Sequence, residues 1–258
     1  ISKKITSKPG ANDQNPFFVY GKSGVGKTHL LHAIGNEVIE KHPNKKVRYV
    51  SAGDFIKEIV NSLRNISIKK IDEIVEEYEG IDCLLIDDIQ SFEGKTQTRE
   101  ILFRIINNFL ENNKQIVLSA DVEPKSLPGF EDRFKTRFIS GVVSLLSPPD
   151  NETATKIILF FVKKDGFLQN LKFDDLVIGY IAENFRINIR ELQGVLNQIK
   201  NYSSLMGTKK IDMDEFVKIT KDILPSQSLR VSISKIKKYV SKKYNVPISS
   251  LESKSKKG

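Results

Sequence analysis

Gly21-Lys22-Ser23-Gly24-Val25-Gly26-Lys27-Thr28 decides how the rest of this chain is read. Its spacing is G-x-x-x-x-G-K-[ST]. An apolar run, Phe17–Tyr20, leads into it, and helical periodicity through Leu30, Leu31, Ile34 and Val38 follows. A strand, a glycine loop and a helix in that order turn successive backbone N–H groups toward phosphate oxygens. The helix N-terminus adds its dipole. Lys27 would meet the β- and γ-phosphates, and Thr28 would hold Mg2+. His29 and His32 follow on the helix and read as surface or packing residues.

Working outward, five short apolar runs read as strands: 17–20, 47–51, 83–87, 115–120 and 142–146. Their near-continuous apolar character suits strands buried on both faces. Helical patterns separate them, after Thr28, Asp54 and Thr98, so the fold class is α/β with a parallel five-stranded sheet. The pattern changes at Ser147-Pro148-Pro149-Asp150, beyond which only helices are expected, at about 152–164, 173–184, 189–205 and 213–223. Residues 224–228 read as a linker, and a last helix covers about 233–244. The expected domains are therefore 1–147 (nucleotide-binding core), 148–224 (helical subdomain) and 225–258 (linker and the start of another domain).

A second acidic component is Leu84-Leu85-Ile86-Asp87-Asp88. Carboxylates ending an apolar strand stand at the carboxyl edge of the sheet, beside the phosphate loop. Asp87 can order Mg2+ there, and Asp88 can orient or deprotonate a water. An Asp after a buried strand can also simply cap the next helix. Asp121 follows the strand 115–120 and has the same two readings, a group near the γ-phosphate or a cap. Arg133 and Arg137 are four apart and share a helix face. Each could reach a neighbouring subunit's phosphate or pair with Glu131 or Asp132. In Asn188-Ile189-Arg190-Glu191, Asn188 reads as an N-cap. Arg190 then opposes the helix dipole, and its compensation is either a bound triphosphate or Glu191.

The 258 residues are 39% hydrophobic and 28% charged, which excludes a disordered chain. The longest apolar run, 157–162, is far short of the roughly 20 residues a membrane helix needs, and no secretory segment follows the N-terminus. The lone Cys83 allows no internal disulfide, and with three His it leaves little for zinc, so a reducing cytoplasm is expected. The net charge is +9; residues 226–258 carry nine bases and one acid, a net +8, which leaves +1 for residues 1–225. Such asymmetry suits an acidic polymer as partner or a solvated Lys-rich end.

Taken together, the runs 20–36, 84–90, 131–138 and 188–192 resemble the DnaA family of bacterial replication initiators, in order and across essentially the whole chain. The resemblance implies an AAA+ module, a P-loop ATPase core with a helical lid. It implies ATP/ADP and Mg2+ contacts from Gly21, Ser23, Gly24, Val25, Gly26, Lys27, Thr28 and His29, with Thr28 and Asp87 at the metal. Asp88 would be the hydrolytic carboxylate, Asp121 the first sensor, Arg190 the second sensor, and Arg137 an arginine finger acting in trans with Arg133 supporting the subunit contact. Single-stranded DNA would meet Val60, Lys95 and Arg99, although Gln97 stands where relatives often carry Arg. Lys243 and Lys254 would belong to a duplex-binding domain that this chain only begins, so loss of base-specific duplex reading is expected. With only residues 1–16 before the first strand, incomplete adenine recognition is expected too.

The implied function is an ATP-dependent initiator that self-assembles as a helical filament on origin DNA, promotes duplex opening and is reset by slow hydrolysis. The helicase, regulators and acidic phospholipid are further partners that the resemblance brings. The alternatives are a helicase-loading or initiator-regulating AAA+ homologue, a small-molecule kinase, and a transcription factor using ATP structurally. The linker and basic helix suit an initiator better than a loader, and no residues suggest a small acceptor's pocket.

Overall fold

The computed structural model describes residues 2–64 and 71–221, together with 241, 246, 247 and 250. By their contacts they form two units, one comprising Ile1–Pro149 with Ile187–Arg190, the other Asp150–Arg186 with the described residues from Glu191 onward.

Five strands build the first unit: β1 (Phe17–Tyr20), β2 (Val47–Ser51), β3 (Cys83–Asp87), β4 (Gln115–Ala120) and β5 (Val142–Leu145). All pair in parallel, in the order β2-β3-β4-β1-β5. In sequence β2 is the strand inserted between β1 and β3, but in space it lies at the edge, and β4 separates them. The helices are α1 (Ser2–Ser7), α2 (Lys27–Lys41), α3 (Ala52–Arg64), α4 (Ile71–Glu79), α5 (Thr96–Glu111) and α6 (Asp132–Ile139).

Strand side chains alternate between faces; the central strands β1, β3 and β4 are buried on both, whereas the edge strands β2 and β5 are only partly covered, with Val143 and Leu145 exposed. Phe18, Leu84, Ile86, Ile116 and Leu118 join Phe55, Tyr78, Ile105, Phe109, Phe134 and Phe138 in one core layer. Phe17, Val19, Cys83, Leu85 and Val117 join Leu31, Ile34 and Val38 of α2, and Ile5 of α1, in the other. The expectation of burial on both faces is corrected for β2 and β5, which lie at the sheet edges. Two-sided burial is why the three central strands read as near-continuous apolar runs. It also places Cys83 where burial pushes its thiol up to about 12, leaving it inert.

The second unit contains α7 (Asn151–Lys164), α8 (Asp175–Phe185), most of α9 (Ile189–Met206) and α10 (Met213–Thr220), packed around Ile158, Ile181, Leu192, Leu196, Ile199 and Phe216. The expectation of helices alone beyond residue 147 is corrected here. Lys172–Phe173 (β6) and Lys210–Ile211 (β7) form a two-stranded parallel pair. Two residues are too few to show a period of two. Among the described residues no helix is long and apolar enough to cross a membrane.

Candidate nucleotide site

The carboxyl ends of β1, β3 and β4 bring together the segments singled out by sequence. Beyond β1 the loop is tied to the sheet, the Gly21 N–H donating to the Ala120 carbonyl at 3.2 Å. Gly24 has φ +82, and a Cβ there would lie 2.0 Å from Asn188 Oδ1. Only glycine fits both the left-handed backbone and the gap. Gly26, at φ 106, occupies the N-cap position of α2, and no side chain caps that helix. The first N–H groups of α2 are therefore unclaimed by a side-chain acceptor, as an anion site requires.

Lys27 is 6% exposed. Its Nζ donates to the carbonyls of Gly21 at 2.8 Å and Lys22 at 3.3 Å, and pairs with Asp121 Oδ1 at 2.6 Å. Asp121 also accepts from Gln90 Nε2 at 3.1 Å, so its carboxylate joins the loop instead of capping the next turn. Thr28 Oγ1 donates to Asp87 Oδ2 at 2.6 Å. Asp87, 3% exposed, accepts as well from the Tyr49 hydroxyl at 3.0 Å and from Ser119 Oγ. Burial, and the Asp87 charge beside it, push the Tyr49 hydroxyl well above its ordinary value and keep it a donor. Asp88 has φ 59, ψ 49 and caps nothing with its side chain; Gln90 Nε2 donates to its Oδ1 at 3.2 Å.

These residues fit a magnesium nucleotide. Thr28 and Asp87 offer converging hard oxygen donors, the type Mg2+ takes alongside phosphate. Among the described residues no cluster of three or more His, Cys, Asp or Glu side chains could hold a metal on its own. A divalent ion here would depend on Thr28, Asp87 and the nucleotide itself.

Arg190 belongs with the first unit. Asn188 Oδ1 accepts its N–H at 3.0 Å, the expected N-cap, and its Nη1 donates to Ser23 Oγ of the loop at 3.2 Å. The neighbouring Ile189 N–H donates to the Gly24 carbonyl at 2.8 Å. Arg133 and Arg137 share a face of α6, but their surroundings differ. Arg133 is engaged within the chain, by Glu100 and by Glu131 at 3.0 Å, and stacks near Phe103 and Phe134. Arg137 is exposed and has no ion-pair partner among the described residues.

The DNA-facing set divides. Val60 is half-buried on α3 and Lys95 is exposed at the start of α5. Arg99 corrects its expectation: it is 8% exposed, with Nη1 and Nη2 turned to the Phe92 carbonyl and Thr96 Oγ1. It lies on the same side of α5 as Leu102, Ile106 and Phe109, so the helix carries it into the protein. Lys243 and Lys254 lie outside the described residues. His29 is exposed on the first turn of α2, and His32 packs on Tyr49, ring centroids 4.2 Å apart. Tyr49 and Ser119 escaped the sequence reading. The signal for them was parity: Tyr49 and Ser119 are polar residues within strands, and Ser119 shares a sheet face with Val117 as Asp87 does with Leu85.

A parallel sheet with β4 between β1 and β3, a phosphate loop after β1, and carboxylates closing β3 and β4 define a P-loop ATPase core of the AAA+ class. Within that class residues 1–144 match the bacterial DnaA ATPase domain, and the chain belongs to that family. It is 37% identical, over 98% of its length, to the chromosomal replication initiator protein DnaA of Citrifermentans bemidjiense, and covers 53% of that protein. It thus spans about half the length of the curated relatives it matches. Domain III of the Thermotoga maritima replication initiation protein DnaA superposes with a TM-score of 0.77 at 35% identity, covering 87% of this chain and 90% of that one. A replication initiator DnaA bound to AMPPCP and single-stranded DNA superposes at 0.65 and 26% identity, covering 97% and 90%.

Proposed function

We propose that this chain is the ATP-switched, DNA-binding assembly portion of a cytoplasmic replication initiator. The observation that carries this reading is the convergence of Lys27, Thr28, Asp87, Asp121 and Arg190 on one glycine loop. Family membership supports it, as do the AMPPCP and single-stranded DNA held by a relative.

In this reading Lys27 exchanges its bonds to Asp121 and the loop carbonyls for the β- and γ-phosphate oxygens. Magnesium at Thr28 and Asp87 would neutralise charge on those phosphates. Asp88 and Asp121 orient the attacking water, and Arg190, already within reach of Ser23, reads the terminal phosphate. Arg137, exposed on α6 and without an ion-pair partner among the described residues, offers its guanidinium to the nucleotide of a neighbouring copy, so ATP favours an interface that ADP does not. Hydrolysis is slow in the isolated chain because the finger comes from outside it. Arg133, held by two glutamates, positions α6 instead of reaching out.

Val60 and Lys95 face single-stranded DNA inside the ATP-dependent helical filament, and the basic residues from 225 onward belong to duplex recognition. Origin opening, helicase and regulator contacts and association with acidic phospholipid are functions of the longer protein. The test is light scattering with ATP, ADP or no nucleotide, with and without single-stranded DNA. ATP alone should produce larger species. Arg137→Ala should keep ATP binding and lose assembly; unchanged self-association in that variant overturns the trans contact.

A further inference from the structure

Three hydroxyls converge on Asp87, and one of them does more than the others. Ser119 is fully buried on β4. Its Oγ donates to Asp87 Oδ1 and accepts the Asp88 N–H at 3.0 Å. A single hydroxyl therefore fixes the direction of one carboxylate and the backbone of the next. Asp88 needs such a hold: its φ of 59 places a non-glycine residue in the left-handed region, which L side chains adopt at a cost. The other Asp87 oxygen is taken by Thr28 and Tyr49 at 2.6 and 3.0 Å, from α2 and β2. The carboxylate plane is thus pinned from β4 on one side and from α2 and β2 on the other.

We propose that Ser119 is a positioning residue, bridging β4 to the paired carboxylates so that Asp87 presents its Thr28-facing oxygen to a divalent ion while Asp88 turns its side chain toward the attacking water. The inference rests on the magnesium–nucleotide reading above. Serine suits this position because its small hydroxyl donates and accepts at once. Alanine would leave a half-buried N–H and a buried carboxylate oxygen each one partner short. Outer-shell partners of this kind govern metal affinity while touching neither metal nor substrate.

The experiment measures binding of a fluorescent ADP analogue in EDTA and through a Mg2+ titration, for the unaltered chain, Ser119→Ala, Ser119→Thr and Ser119→Cys. Ser119→Ala should raise the Mg2+ concentration at half effect about tenfold or more, the usual size of an outer-shell loss, while the affinity in EDTA stays essentially unchanged. Ser119→Thr, which keeps the hydroxyl, should stay near the unaltered chain, and Ser119→Cys, a weaker donor, should fall between. If Ser119→Ala does not fold, the order of the threonine and cysteine variants carries the test. An unchanged Mg2+ midpoint in Ser119→Ala, an equal loss in EDTA, or a threonine variant as poor as alanine overturns the proposal. If the unaltered chain shows no magnesium-dependent binding, the functional reading itself fails, and the two failures are told apart.

Discussion

Three helices of each unit begin in different ways. In the helical unit α7, α8 and α10 each start behind an aspartate, Asp150, Asp174 or Asp212, whose side chain accepts a backbone N–H of the first turn. In the ATPase unit α3 is capped too, Ser51 Oγ accepting the Asp54 N–H at 3.1 Å, but α2, α5 and α6 start behind Gly26, Lys95 and Glu131 with no side-chain cap. Unclaimed N–H groups at a helix start are a stability loss that Ser, Thr, Asp or Asn would ordinarily remove. For α2 the glycine that leaves the end open is also the residue that lets the loop curl, and Lys27 follows immediately. The contrast separates helices that end their own hydrogen bonding from one that reserves it for an anion.

The sharpest break of that contrast is Lys27→Ala. If the open end of α2 exists for phosphate, removing its cation should lower ATP and ADP affinity by two orders of magnitude or more, about 3 kcal/mol for charge-assisted bonds lost at a phosphate. The thermal midpoint should fall by a few degrees at most, because the substitution leaves behind an exposed Asp121 carboxylate and the Gly21 and Lys22 carbonyls each one donor short. Isothermal calorimetry beside a melting curve checks both halves. Nucleotide affinity that survives the substitution would make α2 an ordinary helix with a poor cap.

Those two kinds of helix start were unequally legible. The loop, the Asp87-Asp88 pair and the central strands could be read directly, because two-sided burial writes near-continuous apolar runs and the phosphate loop has a fixed spacing; the edge strands β2 and β5 were legible although only partly buried. Asn188 as a cap was equally plain. Arg99 was misjudged although its period was available, since 99, 102, 106 and 109 lie on one helical face and three of the four are apolar. The Lys27–Asp121 pair joins residues 94 apart, and the Ser119–Asp87 bond residues 32 apart. Such partners are set by strand order, here β4 between β1 and β3, which chain order alone does not give. The β6–β7 pair is too short to leave any pattern.

A smaller effect tests the closed end of the comparison. Asp174 Oδ1 accepts the Leu176 N–H at 3.1 Å at the start of α8. Asp174→Ala should cost about 1 kcal/mol, the usual value of a lost cap, and lower the melting midpoint by a few degrees, whereas Asp174→Asn, which keeps the acceptor, should stay near the unaltered chain. Nucleotide affinity should be the same in all three. A cap variant in this unit that weakened nucleotide binding would show that helix starts in the two units are not independent.

The smallest effect is set by acid. Asp165, at the end of α7, accepts from the Phe167 and Leu168 N–H groups at 2.9 and 3.0 Å and pairs with Lys200 of α9 at 2.7 Å. The Lys200 ammonium, then those two N–H groups, hold its carboxyl down at about 2, below the ordinary 3.8. A depressed carboxylate stabilises the folded state above its unfolded pKa and loses that contribution as pH falls through the folded one. The helical unit should therefore weaken between about pH 4 and pH 2, by a modest amount because the pair is partly exposed. Asp165→Asn should melt below the unaltered chain at pH 7 and converge with it toward the acid end. A gap that stays constant from pH 7 to pH 3 would mean that the Asp165 charge contributes nothing and that its N–H contacts alone close the end of α7.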